Sequence, residues 1–562
     1  MAADLQNGLR TLKSKRKRST WDSFKVANEV SDLSQEIRTL SSIGQRLELQ
    51  NHENLDSLKR EITTAVEKFS QHGIEDGRIE EYFLHQQSAS PGTSDAEQPA
   101  AISSDIENVV SAMSRLANEA ERVRSDQEFL KSLYFRNIQA RHRKIDAAHA
   151  KTFQWAYHDT LPGQNQPINF RNWLRTQNGL FWVHGKPGSG KSTLMKFLCH
   201  NPATMHHLRS WAGGKKLVVA SFFFWNAGTQ LQKSQEGLLR SLLFEILRKC
   251  PELIPHVKHC FESDTHFADA YWSVEDLLEM YRTLVSLEFP IKFCLFIDGL
   301  DEFSEENKSH VDLIATLRSL EHSSDIKLCV SSRPWTVFDD EFRRDSKWLL
   351  KLEDLTYSDI LQYVADKLNS HPQFRTLGAR DPDYNSLIEL VVKRAQGVFL
   401  WVVLVVRDLQ EGLTHHDSIS NLESWLLQFP PDLEEFFQHL IDSIPPRYRP
   451  HASWTFKVAT MAEQPLPLVF YSFLDDLQDG MLPLEPLQQQ MSAQDILHRQ
   501  DQMRRRLDGR TKGLLEVVNL EWQTHEPSAF FDLGVDFLHR TPAKRASLCF
   551  SRRLSKKPIW SE

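Results

Sequence analysis

The residues best suited to chemistry lie in one run, Gly185-Lys186-Pro187-Gly188-Ser189-Gly190-Lys191-Ser192, with Thr193 next in line. The run fits the pattern G-x-x-x-x-G-K-[ST] in full. Glycines allow such a loop to wrap so that successive backbone N–H groups point at phosphate oxygens and form an anion nest. A helix beginning at the end of the loop adds the positive end of its dipole. Lys191 can reach the β- and γ-phosphates, and the Ser192 hydroxyl can ligate Mg²⁺. The chemistry this predicts is binding of a nucleoside triphosphate.

Two further groups belong with the loop. Phe293-Cys294-Leu295-Phe296-Ile297 runs into Asp298-Gly299-Leu300-Asp301-Glu302. An apolar strand ending in an acid is how a carboxylate is set opposite a phosphate loop to hold Mg²⁺ through its water shell, and Asp298 is the residue for that role. Asp301 or Glu302, just past the strand end, could orient an attacking water, and spacing does not choose between them. Without the loop the same acids would read as caps of the next helix. Ile326-Lys327-Leu328-Cys329-Val330 is followed by Ser331-Ser332-Arg333-Pro334. An arginine at the carboxyl end of a parallel strand faces the crevice where ligands bind in open α/β sheets, so Arg333 could sense the γ-phosphate.

The surrounding pattern supplies the elements that these residues need. After Phe153 short apolar runs alternate with helical spacing, as βαβ units require. The predicted strands are Leu180–His184, Leu217–Trp225, Lys292–Ile297, Ile326–Ser331 and Trp348–Leu352, mostly continuous apolar runs suited to parallel strands covered on both faces. Phe222-Phe223-Phe224-Trp225 on one of them reads as core, not as a platform for stacking bases. Beyond Asp354 the spacing is helical almost throughout. Before the sheet, Val30, Leu33, Ile37, Leu40 and Leu47 keep a narrow helical seam, fit for a coiled coil or a hairpin. Gln86–Asp105 is rich in Ser, Pro and acids and reads as a disordered linker.

Composition narrows the classes further. The chain has 562 residues, 67 Lys and Arg against 75 Asp and Glu, and a net charge of −8. At roughly 150 residues per domain that is three or four domains. The charge balance argues against a chain-wide nucleic-acid footprint. Basic residues gather at the two ends, Lys13–Arg18 and Arg540–Lys557. The first run could act as a nuclear import signal, although such runs are ordinarily solvated helix ends. Six scattered cysteines without a C-x-x-C pair suit a reducing compartment, and the start lacks an apolar signal core, so a cytoplasmic location is expected. Val398–Val406 is too short to cross a bilayer and reads as a buried helix segment. His206–His207 and His415–His416 lack the spacing of a zinc helix.

In this order the loop, the strand acids and the arginine resemble the NACHT module of the STAND class of P-loop ATPases. More narrowly, they resemble its fungal NOD-like-receptor branch and the nephrocystin-3-like N-terminal domain. The resemblance extends over about residues 150–410 and includes Phe153–Trp155, Leu355-Thr356-Tyr357-Ser358-Asp359-Ile360 and Gly397-Val398-Phe399-Leu400-Trp401. It implies an α/β P-loop NTPase core, a five-stranded parallel sheet with the phosphate-loop strand beside the arginine strand, flanked by all-α regions. It also implies ATP/ADP or GTP/GDP with Mg²⁺, slow hydrolysis that resets a conformational switch, and self-association on activation, with the downstream effector unspecified. A binding scaffold with a structural loop and a fast ATPase are the competing readings.

The expected organisation is a helical N-terminal segment over 1–85, a linker over 86–105 and a helical connector over 106–150. The NACHT module follows over 151–355, its helical extension over 356–444, an uncharacterised helical domain over 445–545 and a basic tail over 546–562. Chains of this kind usually continue at both ends, into a fuller N-terminal domain and a C-terminal repeat array. After Thr541 the sequence leaves the family pattern.

Overall fold

The computed structural model describes residues 122–160, 168–176, 178–259, 271–286, 289–321, 323–344, 347–378, 384–462, 465–478, 492–520 and 531–537. The expected N-terminal seam, the linker and the basic tail lie outside them. By its internal contacts the chain falls into two compact units. Described residues of the first are 122–136, 239–259 and 271–286. There Trp272 donates its indole N–H to Ser132 at 3.0 Å and meets the Phe129 ring edge-on, while Lys258 pairs with Asp126 at 3.0 Å.

The second unit, formed by 137–238 and 289 onward, holds the sheet. Its strands are β1 (Gly179–His184), β2 (Lys216–Phe223), β3 (Ile291–Asp298), β4 (Ile326–Ser332) and β5 (Leu349–Lys351), all parallel in the order β2-β3-β4-β1-β5. They coincide with the predicted strands to within two residues at each end. β1 lies beside β4, as the resemblance implies. Continuous apolar runs form strands here because helices cover both faces. Phe181, Val183, Cys294, Phe296 and Cys329 share a core with Leu194, Met195 and Leu198 of α1 (Lys191–His200). Phe222, Phe223 and Phe224 are buried, and Trp225 lies under the Lys144 ammonium.

A lysine sits inside this core, its pKa pushed by burial from 10.5 down to about 7. Lys327 of β4 is fully buried, and its ammonium donates to the backbone carbonyls of Trp173 and Leu174, the latter at 2.7 Å. Those carbonyls belong to the C-terminal part of helix Phe170–Thr176, which has no intrahelical partner for them. The amine therefore caps a helix end that the sheet has covered.

Helices dominate beyond β5. α2 (Tyr357–Ser370), Tyr384–Ala395 and α3 (Phe399–Thr414) pack with Ile419–Gln428 and Leu433–Asp442. The Val398–Val406 run is inside: Trp401, Val402, Val405 and Val406 are buried in α3, and no described helix is long and apolar enough to cross a membrane. One hydrophobic core continues from Ile360 to Val535, through residues expected to form two domains.

The all-α expectation for the C-terminal region needs correction. β6 (Leu466–Pro467), β7 (Leu515–Asn519) and β8 (Leu533–Phe537) form an antiparallel sheet in the order β6-β8-β7. Runs of two to five residues carry too few periods to separate a strand from a helical turn. Their pairing partners are also distant in sequence, with Leu466 opposite Val535. Pro467 fits because it lies on an edge strand, where its missing N–H breaks no ladder.

Asp359 of α2 ties the helical extension to the segment before the sheet. It accepts the Phe153 backbone N–H at 3.1 Å and the Trp155 indole N–H at 2.8 Å, all three residues being buried. Asp359→Ala leaves two buried donors without acceptors and should lower unfolding stability by about 2–4 kcal/mol. Asp359→Asn, which keeps an acceptor, should lose clearly less. Urea unfolding of the three proteins measures the difference, and equal losses for Ala and Asn would refute the assignment.

Candidate functional site

Parallel register gathers the predicted residues at one end of the sheet. His184 ends β1 opposite Ser332, and Ile297 of β3 lies opposite Val330 of β4. The phosphate loop, Asp298 and Arg333 therefore leave three neighbouring strands at the same level, the crevice at strand carboxyl ends where such sheets bind ligands.

The loop turns between β1 and α1, whose first residue is Lys191. The Lys191 ammonium donates to the carbonyls of Gly185 at 2.8 Å and Lys186 at 2.9 Å, so it lies within the loop's own ring. Ser192 and Thr193 open the helix beside it. Gly188 has φ +73°, and a Cβ there would come within 3.0 Å of the side chains of Leu400 and Leu433. Only glycine satisfies both the left-handed backbone and that close approach. The Gly188 carbonyl accepts the Leu400 N–H at 2.9 Å. Lys186 is held from the same side, its N–H by Glu353 at 3.3 Å and its ammonium by the Gln396 carbonyl at 3.4 Å. Gly397 has φ +80°, and a Cβ on it would meet the Glu353 carbonyl at 2.5 Å. The start of α3 thus sits directly against the loop.

Asp298 is buried at the end of β3. Burial raises its carboxyl pKa, opposed by hydrogen bonds from the Ser192 and Ser331 hydroxyls. The Ser331 Oγ donates to Asp298 and accepts the Gly299 N–H at 3.0 Å. Ser192 and Asp298 are thus brought together as an all-oxygen pair, the donor type that suits Mg²⁺ and not softer metals. These two would hold Mg²⁺, and the loop N–H groups with Lys191 would hold phosphates. A bound magnesium nucleotide would supply a polarised γ-phosphoryl group.

The three other predicted residues divide. Asp301 is buried and bound to Arg333 twice, by the Arg333 backbone N–H at 2.9 Å and by its Nε at 3.1 Å. Its carboxylate positions the arginine. Glu302 is half-buried and accepts the Asn226 N–H at 3.1 Å, linking the end of β3 to the loop after β2. Ser331, Glu353, Leu400 and Asp359 were not among the predicted site residues. Glu353 and Leu400 come from outside the sheet's motif strands, so spacing within a motif could not place them. Arg141, from the short helix Ala140–Lys144, adds a positive charge that acts on Asp298.

Residues 164–333 match the family described as Nephrocystin 3, N-terminal, and residues 443–543 match a domain of unknown function, DUF7791. The vegetative incompatibility protein HET-E-1 of Podospora anserina is 25% identical over 330 residues, which is 58% of this chain and 23% of that protein. The matched stretch is thus less than a quarter of that relative's length. Among solved structures, the Orc1 protein of Aeropyrum pernix in complex with DNA aligns at 12% identity and TM-score 0.30, over 71% of this chain and 97% of that one. Cdc6p of Pyrobaculum aerophilum aligns at 11% identity and TM-score 0.27, over 69% and 92%.

His184, next to the loop, is buried with its ring stacked on Trp182 at 4.4 Å. Burial, aided by the Arg343 charge, pushes its imidazole from 6.5 down to about 4. Below pH 6.5 the unfolded chain binds a proton that the folded chain does not. Stability from this group is therefore complete above pH 6.5 and lost as pH falls toward 4. His184→Phe keeps the stack and removes the titration. Between pH 7 and 5 the wild type should lose about 2 kcal/mol more than the variant in urea unfolding. Parallel losses would show that the acid sensitivity lies elsewhere.

Proposed function

We propose that this chain, a P-loop NTPase of the NACHT type, works as a nucleotide-operated switch. ADP or GDP holds a closed form, and exchange for ATP or GTP with Mg²⁺ opens it to self-association. Slow hydrolysis then returns the closed form. The observation that carries this reading is the hydrogen bond from Leu400 N–H to the Gly188 carbonyl, together with the Lys186 contacts to Glu353 and Gln396. The loop that would touch phosphate is in direct contact with the helical extension. A ligand with different contacts in two states can therefore bias the extension between two positions.

Roles follow for the polar residues. Lys191 and the loop amides bind the phosphates, and Ser192 with Asp298 ligates the ion. Asp301 holds Arg333 at the γ-phosphate end, which leaves Glu302 as the carboxylate that orients water for attack. The likeness to an incompatibility protein supports a signalling role of that kind for this chain, with fungal self-recognition as the setting.

Lys191→Ala should weaken nucleotide binding by about 100-fold, equivalent to ~2.7 kcal/mol, in calorimetric titration. Glu302→Gln should keep binding and slow hydrolysis by about 10²-fold. Light scattering should show larger particles with a non-hydrolysable ATP analogue than with ADP. The size difference should vanish in Lys191→Ala. Binding without any change of size would favour a scaffold whose loop takes nucleotide only as a structural ligand.

A further inference from the structure

The far end of α1 carries a cluster that the nucleotide chemistry does not use. Cys199 and His200 are the last two residues of α1, and His142 lies on the helix Ala140–Lys144. The Cys199 Sγ and one ring nitrogen from each histidine all lie within 4.8 Å of one another. Cys199 Sγ and His200 Nδ1 are 3.3 Å apart, and the two imidazole centroids are 4.8 Å apart with their planes at 58°. Cys199 is buried, His142 half-buried and packed on Phe223, and His200 exposed.

We propose that His142, Cys199 and His200 form a site for one zinc(II) ion, with its fourth position open to a solvent ligand beside His200. One thiolate and two imidazoles make a soft donor set that selects zinc over magnesium or calcium. Zinc bonds of about 2.3 Å to sulfur and 2.1 Å to nitrogen place tetrahedral S and N ligands roughly 3.6 Å apart. The observed 3.3 Å is close to that span, and side-chain rotation of the exposed His200 can supply the rest. Binding releases the Cys199 thiol proton to solvent and leaves a zinc-bound thiolate. Sequence spacing hides the site because His142 and Cys199 come from separate helices.

The ion would join the short helix Ala140–Lys144 to α1, the helix that begins at the phosphate loop. α1 has ten residues, so the cluster lies about 15 Å from the phosphate loop, at the opposite end of the same helix. The partner helix carries Arg141, the residue after which His142 follows directly. Zinc would brace that helix against the helix on which the loop is built.

The 562-residue chain, stripped of metal with a chelator, is titrated with Co²⁺ and then with Zn²⁺. Wild type should bind one equivalent of Co²⁺ with a thiolate-to-cobalt absorption band that Zn²⁺ removes. Cys199→Ser should lose the band and bind Zn²⁺ about tenfold or more weakly. His200→Ala, at an exposed position, should match wild type in metal-free melting yet show the same weakening. Zn²⁺ should raise the melting temperature of wild type and leave that of His200→Ala unchanged. Lys191→Ala and excess Mg²⁺ should leave the band intact, which separates this site from the nucleotide site. No band in wild type, a band that persists in Cys199→Ser, or equal Zn²⁺ affinity in wild type and His200→Ala overturns the proposal.

Discussion

The structure depends first on the register among β3, β4 and β1. With Ile297 opposite Val330 and Val183 opposite Ser331, Asp298 and Ser331 follow next on their strands, and the phosphate loop turns off β1 after His184. The hydrogen bonds among Ser192, Asp298 and Ser331 follow from that alignment. Alternation of side chains along a strand means that a slip of one residue would turn Asp298 and Ser331 to opposite faces. A slip would also bring apolar side chains into the crevice. The buried faces of the sheet resist this, since every strand would have to exchange its core contacts together.

Three buried polar groups among the described residues are each committed to partners from another part of the chain. Lys327 caps a helix end, Asp359 fastens the extension, and Asp301 fixes Arg333. Each is a polar group taken from water and given back its hydrogen bonds, the condition on which burial is tolerated. All three join different elements. The start of α3 borders the loop, so motion of the extension would be felt there. Contacts made through a few directed bonds can switch between arrangements, whereas a continuous apolar core resists partial movement. The Gly188 carbonyl and the Leu400 N–H form such a bond at the boundary between the two kinds of packing.

Much of the site was legible in the sequence because its chemistry is local. Gly185–Thr193 is a loop whose geometry comes from its own glycines and from the helix that starts within it. Five strands were readable as apolar runs because a sheet covered on both faces demands apolar residues at every position. Asp298 was readable as the first polar residue past such a run, and Arg333 as the first charged residue past another. The helical extension was readable from its spacing, and so was the burial of Val398–Val406.

Tertiary structure decided what depends on residues far apart in the chain. Asp301 and Glu302 are adjacent and equivalent in spacing, and only the approach of Arg333 commits Asp301 to an ion pair. The C-terminal strands pair across long separations and are too short to show a period, so their sheet was invisible. The loop's contact with Leu400, the zinc-type cluster of His142 with Cys199 and His200, and the capping by Lys327 all arise from how separate elements pack. The sequence by itself determined a loop whose residue types fit a phosphate cradle, since nine consecutive residues carry that pattern. What the cradle is connected to was set by folding, because long-range contacts are a property of packing and leave no periodic trace in the chain.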